Sequence, residues 1–209
     1  MKALLGIGTN IGDKFKNIDD ALESLKLVPD INVIRSSSVY DTAPWGYTEQ
    51  DNFYNIVCEV ETSLTPNALL GVCLGIEAAM GRVRQFKNGP RIIDLDVLLY
   101  EGITMDTAEL TIPHPRIGER DFVLVPMAEL YDKACAYGID YSEQYHFLKE
   151  NSSAKKVEKT WKKLLTFPKA CSIIPSRWRR KRHSGITRKL HLTRRYRTTR
   201  EGVKKVEKS

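Results

Sequence analysis

Cysteine is scarce in this chain of 209 residues, with four at Cys58, Cys73, Cys135 and Cys171. They form no CxxC pair, and no histidine stands at ligand spacing from them, so no cysteine metal site has a recognisable pattern. Cys58 lies in an apolar strand-like run and Cys73 in an apolar helix-like run. Both read as small core residues, and reduced thiols in a cytoplasmic protein are expected. Long hydrophobic runs are also lacking. The apolar start Ala3-Leu4-Leu5-Gly6-Ile7 gives way at once to Thr9 and Asn10, too short for a signal peptide, and no run is long enough to span a bilayer. Two phosphate-binding signatures are missing as well. No GxxxxGK[ST] occurs, and Gly6, Gly8 and Gly12 miss the GxGxxG spacing by one residue, so any nucleotide must be held on another scaffold.

Acidic residues are nearly absent from one part of the chain. Asn151 to Ser209 carries 20 Lys and Arg against 3 Asp and Glu, whereas Met1 to Glu150 carries 13 against 23. The basic overall charge of +7 therefore belongs to the C-terminal extension, and the larger part is acidic. This divides the chain at 1–150 and 151–209.

What is present centres on Asn88-Gly89-Pro90-Arg91-Ile92-Ile93-Asp94-Leu95-Asp96-Val97-Leu98-Leu99-Tyr100. Ile92 to Tyr100 is β-branched and apolar behind a Gly-Pro boundary, which predicts a buried strand. Alternate side chains of a strand share a face, so Asp94 and Asp96 stand side by side. Two adjacent carboxylates in a dry setting repel, and a cation between them relieves this. Mg²⁺ suits them, because it is usually held by one or two carboxylates together with substrate phosphates. A frayed strand end paired with nearby arginines is the alternative.

Upstream, Ala3 to Gly8 predicts a strand and Asp13 to Leu27 a helix ending before Pro29, with Ile18, Leu22 and Leu25 at helical spacing. Ile31 to Tyr40 predicts a second strand. Asp41 to Gln50 has the Pro, Gly and aromatic content of a binding loop. A third strand follows from Phe53 to Glu61, with Tyr54, Ile56, Cys58 and Val60 on one face and Phe53 and Asn55 on the other. Phe53 offers a ring to stack on, and Asn55 an amide that donates and accepts, as a flat heteroaromatic ligand requires. Thr65 as N-cap, Pro66, an apolar stripe and Gly81 define a second helix. Arg82, Arg84, Lys87 and Arg91 then make a local basic patch suited to a polyphosphate. Beyond it, the Pro-rich run from Leu110 to Phe122 precedes a short apolar helix from Val123 to Leu130. The order strand, helix, strand, strand, helix, strand predicts a ferredoxin-like α+β fold, an antiparallel sheet with helices on one face.

Gly8-Thr9-Asn10-Ile11-Gly12-Asp13, Ser38 to Gly46, Phe53-Tyr54-Asn55, Gly81-Arg82-Val83-Arg84, Gly89 to Asp96, and Pro113-His114-Pro115-Arg116 with Glu119, Arg120 and Phe122 resemble the bacterial 6-hydroxymethyl-7,8-dihydropterin pyrophosphokinase family of folate biosynthesis. The resemblance covers about Met1 to Leu130. It implies transfer of the β,γ-diphosphate of ATP to the hydroxymethyl group of the dihydropterin, releasing AMP. It also implies that Asp94 and Asp96 hold two Mg²⁺ ions, and that Arg82 and Arg91 act with them in catalysis. Glu77, Arg82, Arg84, Arg91, Thr111, His114 and Arg120 fall on the ATP side. On the pterin side, Phe53 and Phe122 would sandwich the ring, with Asn55 and Thr42, Ala43, Pro44, Trp45 and Gly46 reading its polar edge. Asn88 stands where many members have Trp, in a loop one residue shorter, and Leu74 and Glu109 replace polar and basic contacts of some members.

In the extension, Val157, Trp161, Leu164 and Leu165 form an apolar stripe among lysines, predicting a short basic amphipathic helix within Ala154 to Phe167. From Pro175 onward, arginine-rich runs with few apolar neighbours are expected to be disordered. A tether to nucleic acid or to an anionic surface is one reading of this segment, and an extension without function is the other. The competing view of the whole chain is a catalytically weakened member that binds nucleic acid or an anionic surface through 151–209. A monomer is expected.

Overall fold

The computed structural model describes residues 1–83, 86 and 88–157. Its elements run β1 (Lys2–Thr9), α1 (Lys14–Lys26), β2 (Ile31–Ser36), β3 (Tyr40–Thr42), β4 (Phe53–Thr62), α2 (Pro66–Ala79), β5 (Asp94–Tyr100), β6 (Met105–Asp106), β7 (Thr111–Ile112), α3 (Asp121–Leu130), α4 (Ser142–Glu150) and β8 (Lys155–Lys156). The main sheet has the order β5-β1-β4-β3-β8, with β2 also paired to β4. Its strand pairs are antiparallel. The protein is thus an α+β fold with four α-helices among the described residues.

The apolar patterns explain the helices. Asp13 caps α1 by accepting a hydrogen bond from the Lys16 amide at 3.0 Å, and Ile18, Ala21, Leu22 and Leu25 are buried. Thr65 caps α2 by accepting from the Ala68 amide, Pro66 opens the helix, and Gly81 takes φ +84° just beyond its end. Both helices cover the sheet face carrying Ala3, Leu5, Ile7, Ile56, Cys58, Val60, Leu95 and Val97.

The expectation of helices on one face only is corrected. Leu4, Val57 and Leu98 point to the opposite face, are fully buried, and pack with Val123, Leu124 and Met127 of α3. The reason is visible in continuous apolar runs such as Val97-Leu98-Leu99, which supply both faces of a strand with side chains that must leave water.

Two other expectations change. Ile31 to Tyr40 is not one strand, because Ser37 exchanges hydrogen bonds with Val57 through its amide and its hydroxyl while Ser38 donates from both amide and hydroxyl to Glu129. Serine hydroxyls compete here with the ladder, and the strand resumes as β3. Second, the start of the basic helix expected from Ala154 is β8 instead. The open edge of β3 pairs Tyr40 with Lys156 and Asp41 with Lys155, and the Val157 amide donates to the Val39 carbonyl at 2.8 Å. The remainder of that expected helix, and the rest of the basic extension, lie outside the described residues.

Glu59 is buried in the middle of β4, at 1 % exposure. It accepts hydrogen bonds from Arg35 Nε at 2.6 Å, from the Tyr131 hydroxyl, and from the Tyr137 hydroxyl at 3.2 Å. Burial raises the cost of its charge, but the hydrogen bonds from Tyr131 and Arg35 outweigh this and hold the carboxyl below its usual range. Such a group contributes stability above its unfolded pKa, about 4.3 for glutamate, and the contribution is lost as pH falls through the lower folded value. Glu59→Gln is expected to cost about 1–2 kcal/mol at neutral pH, by weakening the hydrogen bonds of a buried carboxylate whose partner Arg35 is itself largely exposed and screened. Thermal melts at pH 7 and pH 4 check it, since the gap between wild type and variant must narrow at the lower pH.

Candidate active site

The sheet opens on its α3 side where β1 and β5 run together. Gly6 stands opposite Asp96 and Gly8 opposite Asp94 in the antiparallel register. Directly opposed residues share a face, so each carboxylate has a neighbour without a side chain, and the space above the strands stays clear. At Gly8 the clearance is tight, because a Cβ would lie 2.5 Å from Asn55 Oδ1. The Asp94 and Asp96 side chains are 18 % and 38 % exposed, while Leu95 and Val97 between and beyond them are buried beneath the sheet.

The strand begins at Asp94 rather than at Ile92. Arg91 and Asn10 exchange two hydrogen bonds, the Arg91 amide to Asn10 Oδ1 at 2.8 Å and the Asn10 amide to the Arg91 carbonyl at 3.1 Å, and Asn17 donates to the Ile92 carbonyl at 3.1 Å. These polar anchors take the place of a ladder. They also fix the approach of Arg91 to the carboxylates.

Three arginines surround the pair. Arg82 makes ion pairs with both Glu77 and Asp94, Arg91 Nε lies 3.0 Å from Asp94 Oδ2, and Arg120 Nη1 lies 3.2 Å from Asp96 Oδ2. Glu77 Oε1 also accepts from the Leu95 amide at 2.7 Å, so a buried carboxylate locks α2 to β5. Burial pushes the Glu77 carboxyl above its ordinary range, against the Leu95 amide and Arg82. Burial and the charge of Asp94 push Asp96 up as well, opposed by His114, Arg120 and Arg91. His114 is held below its ordinary value, by burial first and then by Arg120 and Arg116. Two carboxylates that repel, with buried Nε atoms of Arg82 and Arg120 lacking hydrogen-bond partners among the described residues, form a site suited to divalent cation and phosphate together.

Two clefts meet at this point. One is walled by Thr42, Trp45, Phe53, Asn55 and Phe122 and holds about 650 Å³ of empty space, part of it open to solvent. The other is bounded by Arg82, Val83, Phe86, Gly89 and Pro90. Asn88, Arg91, Asp94, Asp96 and Arg120 line both. The first cleft is aromatic and amide-lined and the second is cationic, so the carboxylates sit between a place for a flat ring and a place for an anion. Asn55 Nδ2 donates to Thr42 Oγ1 at 2.7 Å, which fixes its carboxamide within the cleft wall. The Arg91 guanidinium lies 4.9 Å from the centre of the Phe53 ring, and that of Arg120 lies 5.4 Å from the Phe122 ring. The phosphate-type cations and the stacking rings therefore position each other.

Of the residues expected in the site, Thr42, Ala43, Trp45, Phe53, Asn55, Phe122, Arg82, Arg91, Asp94, Asp96 and Arg120 line one cleft or both. Pro44 and Gly46 lie in the same loop, with Gly46 at φ +88° facing Asn88. Glu77 stands behind the cleft wall. His114 packs nearby with its Nδ1 accepting from the Arg116 amide, and Thr111 is in the β6–β7 hairpin, where its hydroxyl bonds Asp106. Arg84 and Lys87 lie outside the described residues. Sequence reasoning missed Gly8, Asn10, Asn17 and Gln50. Gln50 donates to both the Tyr47 and the Asn88 carbonyls and accepts from Asn10, tying the loop after β3 to the loop before β5. Such polar anchors carry no periodic signal, and only the chain's folding brings their partners together.

The family model described as 7,8-dihydro-6-hydroxymethylpterin-pyrophosphokinase (HPPK) matches residues 4–132. The chain is 51 % identical over 129 residues to the 2-amino-4-hydroxy-6-hydroxymethyldihydropteridine pyrophosphokinase of Methylorubrum extorquens, covering 62 % of this chain and 82 % of that protein. It is 41 % identical over 128 residues to the protein of the same description from Bacillus subtilis, covering 61 % and 77 %. Among solved structures, wild-type Plasmodium falciparum HPPK-DHPS resembles it with a TM-score of 0.51 at 15 % identity, over 71 % of this chain and 44 % of that one.

Proposed function

Since the chain belongs to the 7,8-dihydro-6-hydroxymethylpterin-pyrophosphokinase family, we propose that its two clefts hold the dihydropterin and ATP on either side of Asp94 and Asp96. The protein is a 2-amino-4-hydroxy-6-hydroxymethyldihydropteridine diphosphokinase of folate synthesis. It transfers diphosphate from ATP to 6-hydroxymethyl-7,8-dihydropterin, giving AMP and the dihydropterin diphosphate. The observation that carries the site assignment is the shared wall, where one carboxylate pair and two arginines face both clefts. The βαββαβ connectivity with sheet order β5-β1-β4-β3 supports the ferredoxin-like reading of the fold.

The hydroxymethyl oxygen attacks the β-phosphorus and gives up its proton to water, the bond from that phosphorus to the oxygen bridging to the α-phosphate breaks, and AMP departs with the bridging oxygen. Little covalent work falls to the protein, and positioning with charge neutralisation sets the rate. Phe53 and Phe122 present ring faces to the pterin, and Asn55 with Thr42 offers donors and acceptors to its polar edge. Arg82, Arg91 and Arg120 bring guanidinium groups against the diphosphate. Asp94 and Asp96 would hold two Mg²⁺ ions, which when bound neutralise phosphate charge and lower the pKa of the attacking hydroxyl. Without such ions the arginines already neutralise the pair, so a cation and a phosphate can enter together without leaving unpaired charge. The chemistry resides in residues up to Glu150. No observation among the described residues favours the alternative of nucleic-acid or anionic-surface binding.

The full chain is expected to release AMP from ATP and Mg²⁺ only when 6-hydroxymethyl-7,8-dihydropterin is present, followed by chromatographic separation of AMP from ADP. Release of ADP, or AMP formation independent of the pterin, would sink this reading.

A further inference from the structure

The two walls of the ring-binding cleft come from distant parts of the chain, Thr42 and Ala43 at the end of β3 and Phe122 at the start of α3. A third segment, beyond the span matched by the family model, joins them. Ser153 Oγ accepts a hydrogen bond from the Ala43 amide at 3.0 Å. Asp121 Oδ2 accepts from Ser152 Oγ at 2.8 Å and from the Ser153 amide at 3.2 Å. The other oxygen of the same carboxylate accepts from the Phe122 amide at 2.8 Å, so Asp121 sets the direction in which the Phe122 ring leaves the helix. The segment is held at its far end. β8 pairs with β3, Lys156 makes an ion pair with Glu129, and Val157 packs against the main core.

We infer that Ser152 and Ser153 form a strap that sets the spacing between the Thr42–Ala43 wall and the Phe122 wall, and thereby the affinity for the pterin. They are positioning residues, acting through Ala43 and Asp121. Thr42 is paired with Phe53 in the β3–β4 register, so a tie from Ala43 to Asp121 bears on the separation of the Phe53 and Phe122 rings, and a gap of about 0.5–1 Å forfeits roughly a quarter to a half of each contact with a sandwiched ring. Ala43 lies on the exposed loop just after β3 and Phe122 stands in the first turn of α3, where backbone amides lack intrahelical partners, so a tie between them steadies both. The strap reaches both walls through hydrogen bonds alone, leaving the cationic cleft untouched. Its effect is therefore confined to the pterin.

This inference rests on the assignment of the aromatic cleft to the pterin. The test uses the full chain, with Ser152→Ala and Ser153→Ala combined, compared with wild type and with Ser152→Thr combined with Ser153→Thr. Steady-state AMP release gives KM for 6-hydroxymethyl-7,8-dihydropterin, KM for ATP, and kcat. The alanine pair is expected to raise the pterin KM about tenfold, consistent with losing two net hydrogen bonds. The ATP KM and kcat stay within about twofold, and the threonine pair, which keeps the hydroxyls, restores the pterin KM. Asp121→Ala cuts the strap from the other side and must give the same pattern, which covers the case of an alanine pair that does not fold. An active wild type whose pterin KM is unmoved in both variants overturns the strap alone. Parallel losses in kcat and in both KM values, tracking a fall in Tm, also overturn it, because they mark a structural role. No pterin-dependent AMP from wild type overturns the cleft assignment on which it stands.

Discussion

Asp96→Ala lowers kcat for pterin-dependent AMP release by about a thousandfold or more, with the fold intact. Asp96 projects from β5 into the meeting point of the two clefts, beside Asp94 and 3.2 Å from Arg120. A single preorganised charge-stabilising group in such a place contributes about 10²–10³ in kcat, and on the proposed reading the variant also loses one of the two carboxylates that would hold Mg²⁺. The fold survives because the side chain is partly exposed and its hydrogen bond goes to one arginine of the cleft rim. Rapid-quench measurement of AMP at saturating substrates, with a thermal melt of the same sample, checks both halves. Activity within about tenfold of wild type would remove Asp96 from the centre of the reaction.

Gly8→Ala raises the pterin KM by about a hundredfold while ATP binding is nearly unaffected. The new methyl would stand 2.5 Å from Asn55 Oδ1 and 3.9 Å from the Phe53 ring. The β1 backbone cannot give way, because Gly8 pairs with Asn55 on one side and Asp94 on the other. Asn55 must therefore rotate, breaking its 2.7 Å hydrogen bond to Thr42 and withdrawing the amide proposed to read the ring edge. A site built around hydrogen bonds discriminates by several orders of magnitude when they are lost, so about a hundredfold is a moderate expectation. Overpacking itself costs about 1–3 kcal/mol of stability. A cycle with Asn55→Ala separates the two effects. If Gly8→Ala still weakens pterin binding as strongly in the Asn55→Ala background, the steric route through Asn55 is wrong.

The order of strands and helices was readable because each element carries its own local signal. Period-two and period-3.6 patterns and the Thr65-Pro66 start are all short-range features. The proximity of Asp94 to Asp96 and the sharing of a face by Phe53 and Asn55 follow from strand geometry alone. The second helical face was legible only in part. Continuous apolar runs in β5 imply burial on both sides, whereas the order of strands and helices by itself implies helices on one face.

The site's supports were not legible. Asn10, Asn17 and Gln50 are polar residues without period, and each matters through a partner many positions away, such as Asn17 with Ile92 or Gln50 with Asn88. The same holds for Ser152 and Ser153, which composition alone places in the basic extension from residue 151. By itself, the sequence determined the acidic body, the carboxylate strand, the candidate stacking ring and the family resemblance, since these depend on composition, local period and motif. Only the tertiary structure decided which glycine clears the cleft, which amides anchor the strand start, and that a segment past residue 150 ties its walls. Those depend on contacts between distant positions, whose geometry is set by how the whole sheet pairs and not by any local stretch.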